Sequence, residues 1–170
     1  MTHDRGPAVR WTLLVATLYL IQIGLVIDLS FFGVHPELMV LTGICAGMVG
    51  GPTRGAEVGF FSGLLADLVL SGHLGTSALA FAIVGFGSGI LAGSVIRASR
   101  GISIAMVSAM SAAAVLLYAA LAQLLGQHTL SDPRLAQIVG IVSLCNAVLC
   151  LPVLALSRWA EGTGVRSGVV

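Results

Sequence analysis

The stretch that decides the fold is RGAEVGFFSGLLADLVLS, residues 54–71, an apolar segment with an acid near its end. Its glycines recur at every fourth position, and Asp67 occupies the next position of the series that begins with Gly55, Gly59 and Gly63. On an α-helix such residues form one narrow row, because each step of four turns the row by only about 40°. A glycine row lets another helix approach closely, and close packing is what joins helices in lipid. The stretch predicts a membrane helix whose packing face ends in a carboxylate.

Asp67 is the unusual residue of this helix, because a charged side chain at mid-membrane costs about 2.5–3.5 kcal/mol even on the lenient insertion scale. Three interpretations stay open: a structural carboxylate held by neighbouring groups, a partner-contact or gating residue, and a ligand or proton site. Glu57 lies about 80° around the helix from Asp67, so the two acids do not form a pair. Arg54, three residues before Glu57, predicts a local ion pair, with contact to a partner as the alternative.

The composition is that of a membrane protein. Of 170 residues, 57% are hydrophobic and only 9% are charged, whereas soluble domains carry about 25% charged residues. The formal net charge of +1 offers no basic face for phosphates, which argues against nucleic-acid binding. The three cysteines and four histidines show no metal-ligand spacing, so neither a metal ion nor a cofactor is expected. The chain contains no HExxH or GxSxG motif and no long loop for a catalytic domain, so we expect no enzyme.

The apolar runs predict one all-α domain over residues 1–170, a polytopic bundle of six transmembrane helices. Gly50-Gly51-Pro52 is the turn signal between the second and third helices. Pro36 and Glu37 begin the second helix, where a proline loses no hydrogen bond and an acid suits the helix dipole; a contact with a partner's domain is the alternative. The predicted spans are 11–27, 36–50, 54–71, 76–96, 102–125 and 135–157.

Arginine placement predicts the orientation. Six spans put both termini on one side of the membrane. With both termini in the cytoplasm, seven of the eight basic residues lie inside and Arg134 alone lies outside, a strong positive-inside bias. The chain is therefore expected in the inner (plasma) membrane. Its three glycine rows predict packing within the chain, with a homodimer face as the alternative; the rows are Gly43, Gly47 and Gly51; Gly55, Gly59 and Gly63; and Gly85, Gly89 and Gly93.

Three motifs in residues 36–75 occur in the order typical of one family. They are Pro36-Glu37-Leu38, a glycine-rich turn between Gly47 and Gly55, and GFFSGLLADL at residues 59–68, with Gly75 beyond. This order resembles the pattern of MreD, the rod shape-determining membrane protein: a proline–acid–leucine start, a glycine-rich turn and a GF–GLL–DL helix. In length and span number the resemblance extends over nearly the whole chain.

The resemblance implies a non-enzymatic scaffold of the bacterial complex for cell elongation and peptidoglycan synthesis. Its partners would be MreC, a protein with one transmembrane helix and a periplasmic domain, and the complex of the MreB filament, RodA and a class B penicillin-binding protein, in addition to membrane lipid. The family's fold is similar to the six-helix S-components of energy-coupling-factor transporters. The alternative function is therefore an S-component-like substrate-binding subunit for uptake of a small molecule such as a vitamin.

For the site, we expect a lipid-embedded groove that receives the transmembrane helix of MreC. Small residues would supply the close contact, and Asp67 would orient the partner through a polar contact. The candidate partner-binding or structural residues are Asp67, Gly59, Gly63, Phe60, Leu64, Glu57, Pro36 and Glu37.

Overall fold

The computed structural model describes residues 5–28, 37–69, 74–94, 99–127, 129 and 133–162. Pro36 and most of the two predicted loops 28–35 and 72–75 lie outside them. Helices make up the described ranges, with no strand among them. The helices are α1 (Arg5–Asp28), α2 (Leu38–Val69), α3 (Thr76–Ser94), α4 (Arg100–Leu124) and α5 (Leu135–Glu161).

Helix α2 is a hairpin of two arms. Its backbone leaves the helical region at Gly51, with φ 85° and ψ 180°, and Pro52 follows as the first residue of the second arm, where a proline is tolerated. The arms, 38–50 and 52–69, pack antiparallel, because a Cβ on Gly43 would lie 2.9 Å from the Cα of Gly59 and a Cβ on Gly55 would lie 2.6 Å from the Cα of Gly47. Both glycine pairs are symmetric about position 51. The turn predicted at Gly50-Gly51-Pro52 is confirmed.

Four of the described helices, α1, α3, α4 and α5, are long and apolar enough to cross a membrane. The arms of α2 contain 13 and 18 residues, or about 20 and 27 Å of helix. A helix that crosses a hydrocarbon core of about 30 Å needs about 17–25 residues, so the first arm is too short and the second is near the lower limit. The expected bundle of six spanning helices is therefore not confirmed. What the described residues form is a helical bundle with four candidate spans around a hairpin.

The first arm of α2 is the centre of the bundle. Met39, Leu41, Ile44 and Cys45 are all fully buried, as expected for a helix that is apolar on every side. Side chains from neighbouring helices hydrogen-bond to its backbone: the Gln22 side-chain oxygen of α1 accepts the Met39 N–H at 3.1 Å, and the Ser88 hydroxyl of α3 donates to the carbonyl of Ile44 at 3.0 Å. These contacts hold the arm between α1 and α3.

Gly51→Ala is expected to destabilise the protein by about 1–3 kcal/mol, because the φ and ψ of Gly51 lie in a region that only glycine adopts readily. A Cβ at this position would meet no atom within 4 Å, so the loss would come from the backbone alone. The measurement is the apparent melting temperature in detergent. Gly140→Ala is the matched control: its Cβ also meets nothing within 4 Å, and in helix α5 alanine should stabilise by up to about 1 kcal/mol. Equal effects of both variants would contradict the prediction.

Candidate functional site

The glycine row of the second arm packs against α3. A Cβ on Gly63 would lie 2.5 Å from the carbonyl oxygen of Ser77. A Cβ on Gly59 would clash with the carbonyl of Phe81, and a Cβ on Gly55 would clash with the carbonyl of Gly85. The contacts on α3 move back by four residues as the row moves forward by four, which is the pattern of two antiparallel helices. The packing of this row within the chain, predicted from its spacing, is confirmed.

Asp67 occupies the next position of the row and caps α3. Its carboxylate accepts hydrogen bonds from the backbone N–H groups of Gly75 at 2.7 Å, Ser77 at 3.1 Å and Ala78 at 3.3 Å, and only 5% of Asp67 is exposed. The first N–H groups of a helix lack partners within the helix, and an anion there also complements the helix dipole. Of the three interpretations of Asp67, this geometry matches the structural carboxylate.

The other end of the bundle carries a charged cluster, here called the clasp and formed by Trp11, Arg54, Glu57 and Glu161. The Arg54–Glu57 pair predicted from sequence is present, at 3.0 Å. The indole N–H of Trp11 donates to the Oε2 of Glu161 at 2.6 Å, and Arg54 Nε lies 3.4 Å from the same oxygen. The clasp therefore joins α1, α2 and α5 at one end.

Sequence reasoning missed the contact between Trp11 and Glu161, which are 150 positions apart. Trp11 is buried at this contact, with only 4% of it exposed. Trp159, at the end of α5, is half exposed, and the guanidinium of Arg10 lies 5.7 Å from its ring centre. The only hint in the sequence is that both ends of the chain carry a tryptophan beside charged residues.

An apolar groove of about 380 Å³ lies between α1 and the second arm of α2. We refer to it as the α1/α2 groove. The hydroxyl of Thr12 donates to the carbonyl of Ala8 at 3.0 Å, so this one polar side chain of the lining is already bonded. Phe61 and Leu68 are more than half exposed. The residues that line the groove are Trp11, Thr12, Val15, Ala16, Val58, Phe61, Leu64, Leu65 and Leu68.

The remaining candidates are placed as follows. Phe60 is 45% exposed on the second arm, and Leu64 contributes to the groove. Glu37 directly precedes α2, and because the two arms run antiparallel, the start of the first arm lies at the same end as Asp67 on the second. The structure therefore brings Glu37 and Asp67 to one end of the bundle and places Glu57 at the other.

A buried polar contact also joins α4 and α5. The amide of Asn146 donates to the hydroxyl of Ser111 at 2.9 Å, and Asn146 is fully buried. Within the described ranges, the side-chain oxygens of Asn146 and Ser143 have no hydrogen-bond partner. This contact orients two candidate spans relative to each other.

No group of three or more His, Cys, Asp or Glu side chains is placed to hold a metal ion among the residues that the structure describes. Comparison of the chain with models of known protein families, with curated proteins and with solved structures finds no match.

Proposed function

We propose that this protein is a non-enzymatic membrane scaffold of the bacterial cell-elongation complex and pairs with MreC. The observation that supports the proposal is that the motifs resembling MreD form one structural unit. The glycine-rich turn reverses α2 at Gly51, Gly59 and Gly63 pack on α3, and Asp67 caps the start of α3. Each of these motif residues thus contributes to the turn of the hairpin or to its packing against α3.

The proposed location is the inner membrane, with both chain ends in the cytoplasm. The clasp supports this orientation, because it brings the start of α1, the α2 turn and the end of α5 to one end of the bundle. That end also carries Arg10 and Arg54, which agrees with the excess of arginine expected on the cytoplasmic side.

The proposed contact for the transmembrane helix of MreC differs from the face expected from sequence. Helix α3 covers Gly59, Gly63 and Asp67, so this row cannot also receive a partner helix while α3 is in place. Phe60 projects from the uncovered side of the same arm and is 45% exposed. Large aromatic side chains contribute strongly to contact area, so we assign Phe60 to the interface with MreC.

The test is co-purification of MreC of the same organism with the tagged protein in mild detergent. The parent protein should retain MreC, and Phe60→Ala should lower the retained fraction several-fold, because an aromatic contact is lost. Phe86→Ala is the matched control, since Phe86 is 46% exposed on α3, and it should retain MreC as the parent does. Failure of the parent to retain MreC would overturn the proposal.

The same preparation separates the scaffold from the transporter alternative. A substrate-binding subunit should be stabilised by a small ligand, because a ligand that binds only the folded state raises its stability. It should also co-purify with an ATP-driven energising module. A scaffold should show neither effect and should retain the cell-wall synthesis proteins.

A further inference from the structure

We infer that the α1/α2 groove holds one acyl chain of a membrane phospholipid whose head group, an ammonium group and a phosphate, rests on Glu57 and Arg54. The chemical class is an aminophospholipid such as phosphatidylethanolamine. This site lies beside the proposed MreC contact and does not depend on it.

The groove lining suits a flexible chain better than a helix. Helices in membranes associate through small residues that let their backbones approach, and this protein uses its glycines for that purpose between α2 and α3. The groove, by contrast, is lined mainly by branched and aromatic side chains, with Ala16 as its smallest. Thr12 offers no free hydrogen-bond donor, because its hydroxyl donates to the carbonyl of Ala8. An acyl chain can follow such an uneven apolar surface without leaving a polar group unpaired.

The length of the groove corresponds to one leaflet. On the second arm it extends from Val58 to Leu68, a rise of about 15 Å at about 1.5 Å per residue. A hydrocarbon core of about 30 Å has leaflets about 15 Å deep. A partner's transmembrane helix would cross both leaflets, whereas one acyl chain occupies one. The groove depth therefore favours the lipid.

The charges at the clasp end of the groove complement a zwitterionic head group. Arg54, Val58 and Phe61 follow one another at spacings of four and three residues, as do Glu57, Phe61 and Leu64, so the charged pair continues the groove face by one turn. Arg54 is paired with Glu57 at 3.0 Å and with Glu161 at 3.4 Å. The side chains of Arg54 and Glu57 are still 31% and 52% exposed, so a head group can contact both without displacing these pairs. A guanidinium binds phosphate well, and a carboxylate accepts hydrogen bonds from a primary ammonium group.

The test is native mass spectrometry of the detergent-purified protein titrated with phosphatidylethanolamine, phosphatidylcholine or phosphatidylglycerol of identical acyl chains. Phosphatidylethanolamine should bind about tenfold more tightly than the other two, because only its head group supplies N–H donors for Glu57 and a phosphate for Arg54. Glu57→Gln should reduce that preference to less than about threefold. Ala16→Phe should weaken binding of all three lipids by filling the groove.

Ala155→Phe is the matched control for Ala16→Phe, because Ala155 lies on the exposed side of α5. All variants must first elute like the parent on size exclusion, which separates lost binding from misfolding. Equal binding of the three lipids by the parent, or unchanged binding by Ala16→Phe, would overturn the inference. Loss of MreC from Ala16→Phe with lipid binding intact would assign the groove to a protein helix instead. The lipid-binding outcomes do not depend on whether the parent retains MreC; only the comparison of MreC retention by Ala16→Phe does.

Discussion

Leucine at Gly63 is expected to prevent the bundle from folding, whereas leucine at Gly93 should leave it intact. A Cβ on Gly63 would lie 2.5 Å from the carbonyl oxygen of Ser77 and 2.6 Å from the Cα of Ala78. Both atoms belong to the backbone of α3, so no side chain can rotate away. Inserted methylene groups in a well-packed core cost about 1–3 kcal/mol even where side chains can adjust. Leucine adds three more carbons beyond the Cβ, and total stabilities are only about 5–15 kcal/mol.

Size-exclusion chromatography of the detergent-extracted protein is the measurement for Gly63→Leu. The variant should elute as an aggregate or fail to accumulate. Gly63→Ala should fold with an apparent stability lower by about 1–3 kcal/mol. Gly93→Leu is the control, because a Cβ on Gly93 meets no atom within 4 Å. A monodisperse Gly63→Leu protein with the parent's melting temperature would show that this row does not hold α2 against α3.

That the glycine row of the second arm packs within the chain could be predicted from the sequence, because the spacing is local; that its neighbour is α3 could not. A period of four places Gly55, Gly59 and Gly63 on one side of a helix whatever the rest of the chain does. The turn at Gly51 is equally local, since paired glycines before a proline interrupt a helix. The other two rows were predicted less well. In the first row, a Cβ on Gly51 would meet no atom within 4 Å. Gly85 and Gly89 do lie against α2, but Gly93 faces open space.

The number of helices that span the membrane could not be determined from local sequence patterns. Hydrophobicity shows that residues 38–69 are apolar, but it does not show how far each arm reaches. The first arm, at about 20 Å, falls short of the usual span, whereas the second, at about 27 Å, is near its lower limit. The clasp and the α1/α2 groove depend on how α1 and α5 are placed around the hairpin. Contacts such as Trp11 with Glu161 arise only from that arrangement, so no short sequence pattern predicts them.

The role of Asp67 was only partly predictable. Its place on the glycine row indicated that it faces protein. Its hydrogen-bond partners, however, are backbone N–H groups, which nearly every residue has, so the sequence does not identify them. A useful clue was present all the same. An acid followed by a short break and a Thr-Ser pair stands where the preceding helix can reach the start of the next one, a position that favours an anion. An acid that caps a neighbouring helix needs no basic partner, so a search of the sequence for oppositely charged pairs does not find it.

Asp67→Leu is expected to lower the free energy of unfolding by about 3–5 kcal/mol, because it leaves three N–H groups at the start of α3 without an acceptor, each worth about 1–3 kcal/mol when buried. Asp67→Asn should lose about half as much, since its one carbonyl oxygen can still accept hydrogen bonds. The measurements are the apparent melting temperature in detergent and hydrogen exchange of the amides in the first turn of α3. Glu57→Gln is the control: that side chain is 52% exposed and should leave both unchanged.

These variants also decide between the interpretations of Asp67. A capping carboxylate acts within the chain, so the stability loss of Asp67→Leu should appear in the purified protein with no partner present, and protection of the Ser77 and Ala78 amides should fall with it. Any loss of MreC would then be a consequence of a loosened α3 and should be smaller in Asp67→Asn. If Asp67→Leu instead kept the parent's melting temperature and amide protection but released MreC, the carboxylate would be a partner contact. The three hydrogen bonds at 2.7–3.3 Å would then contribute little to the fold.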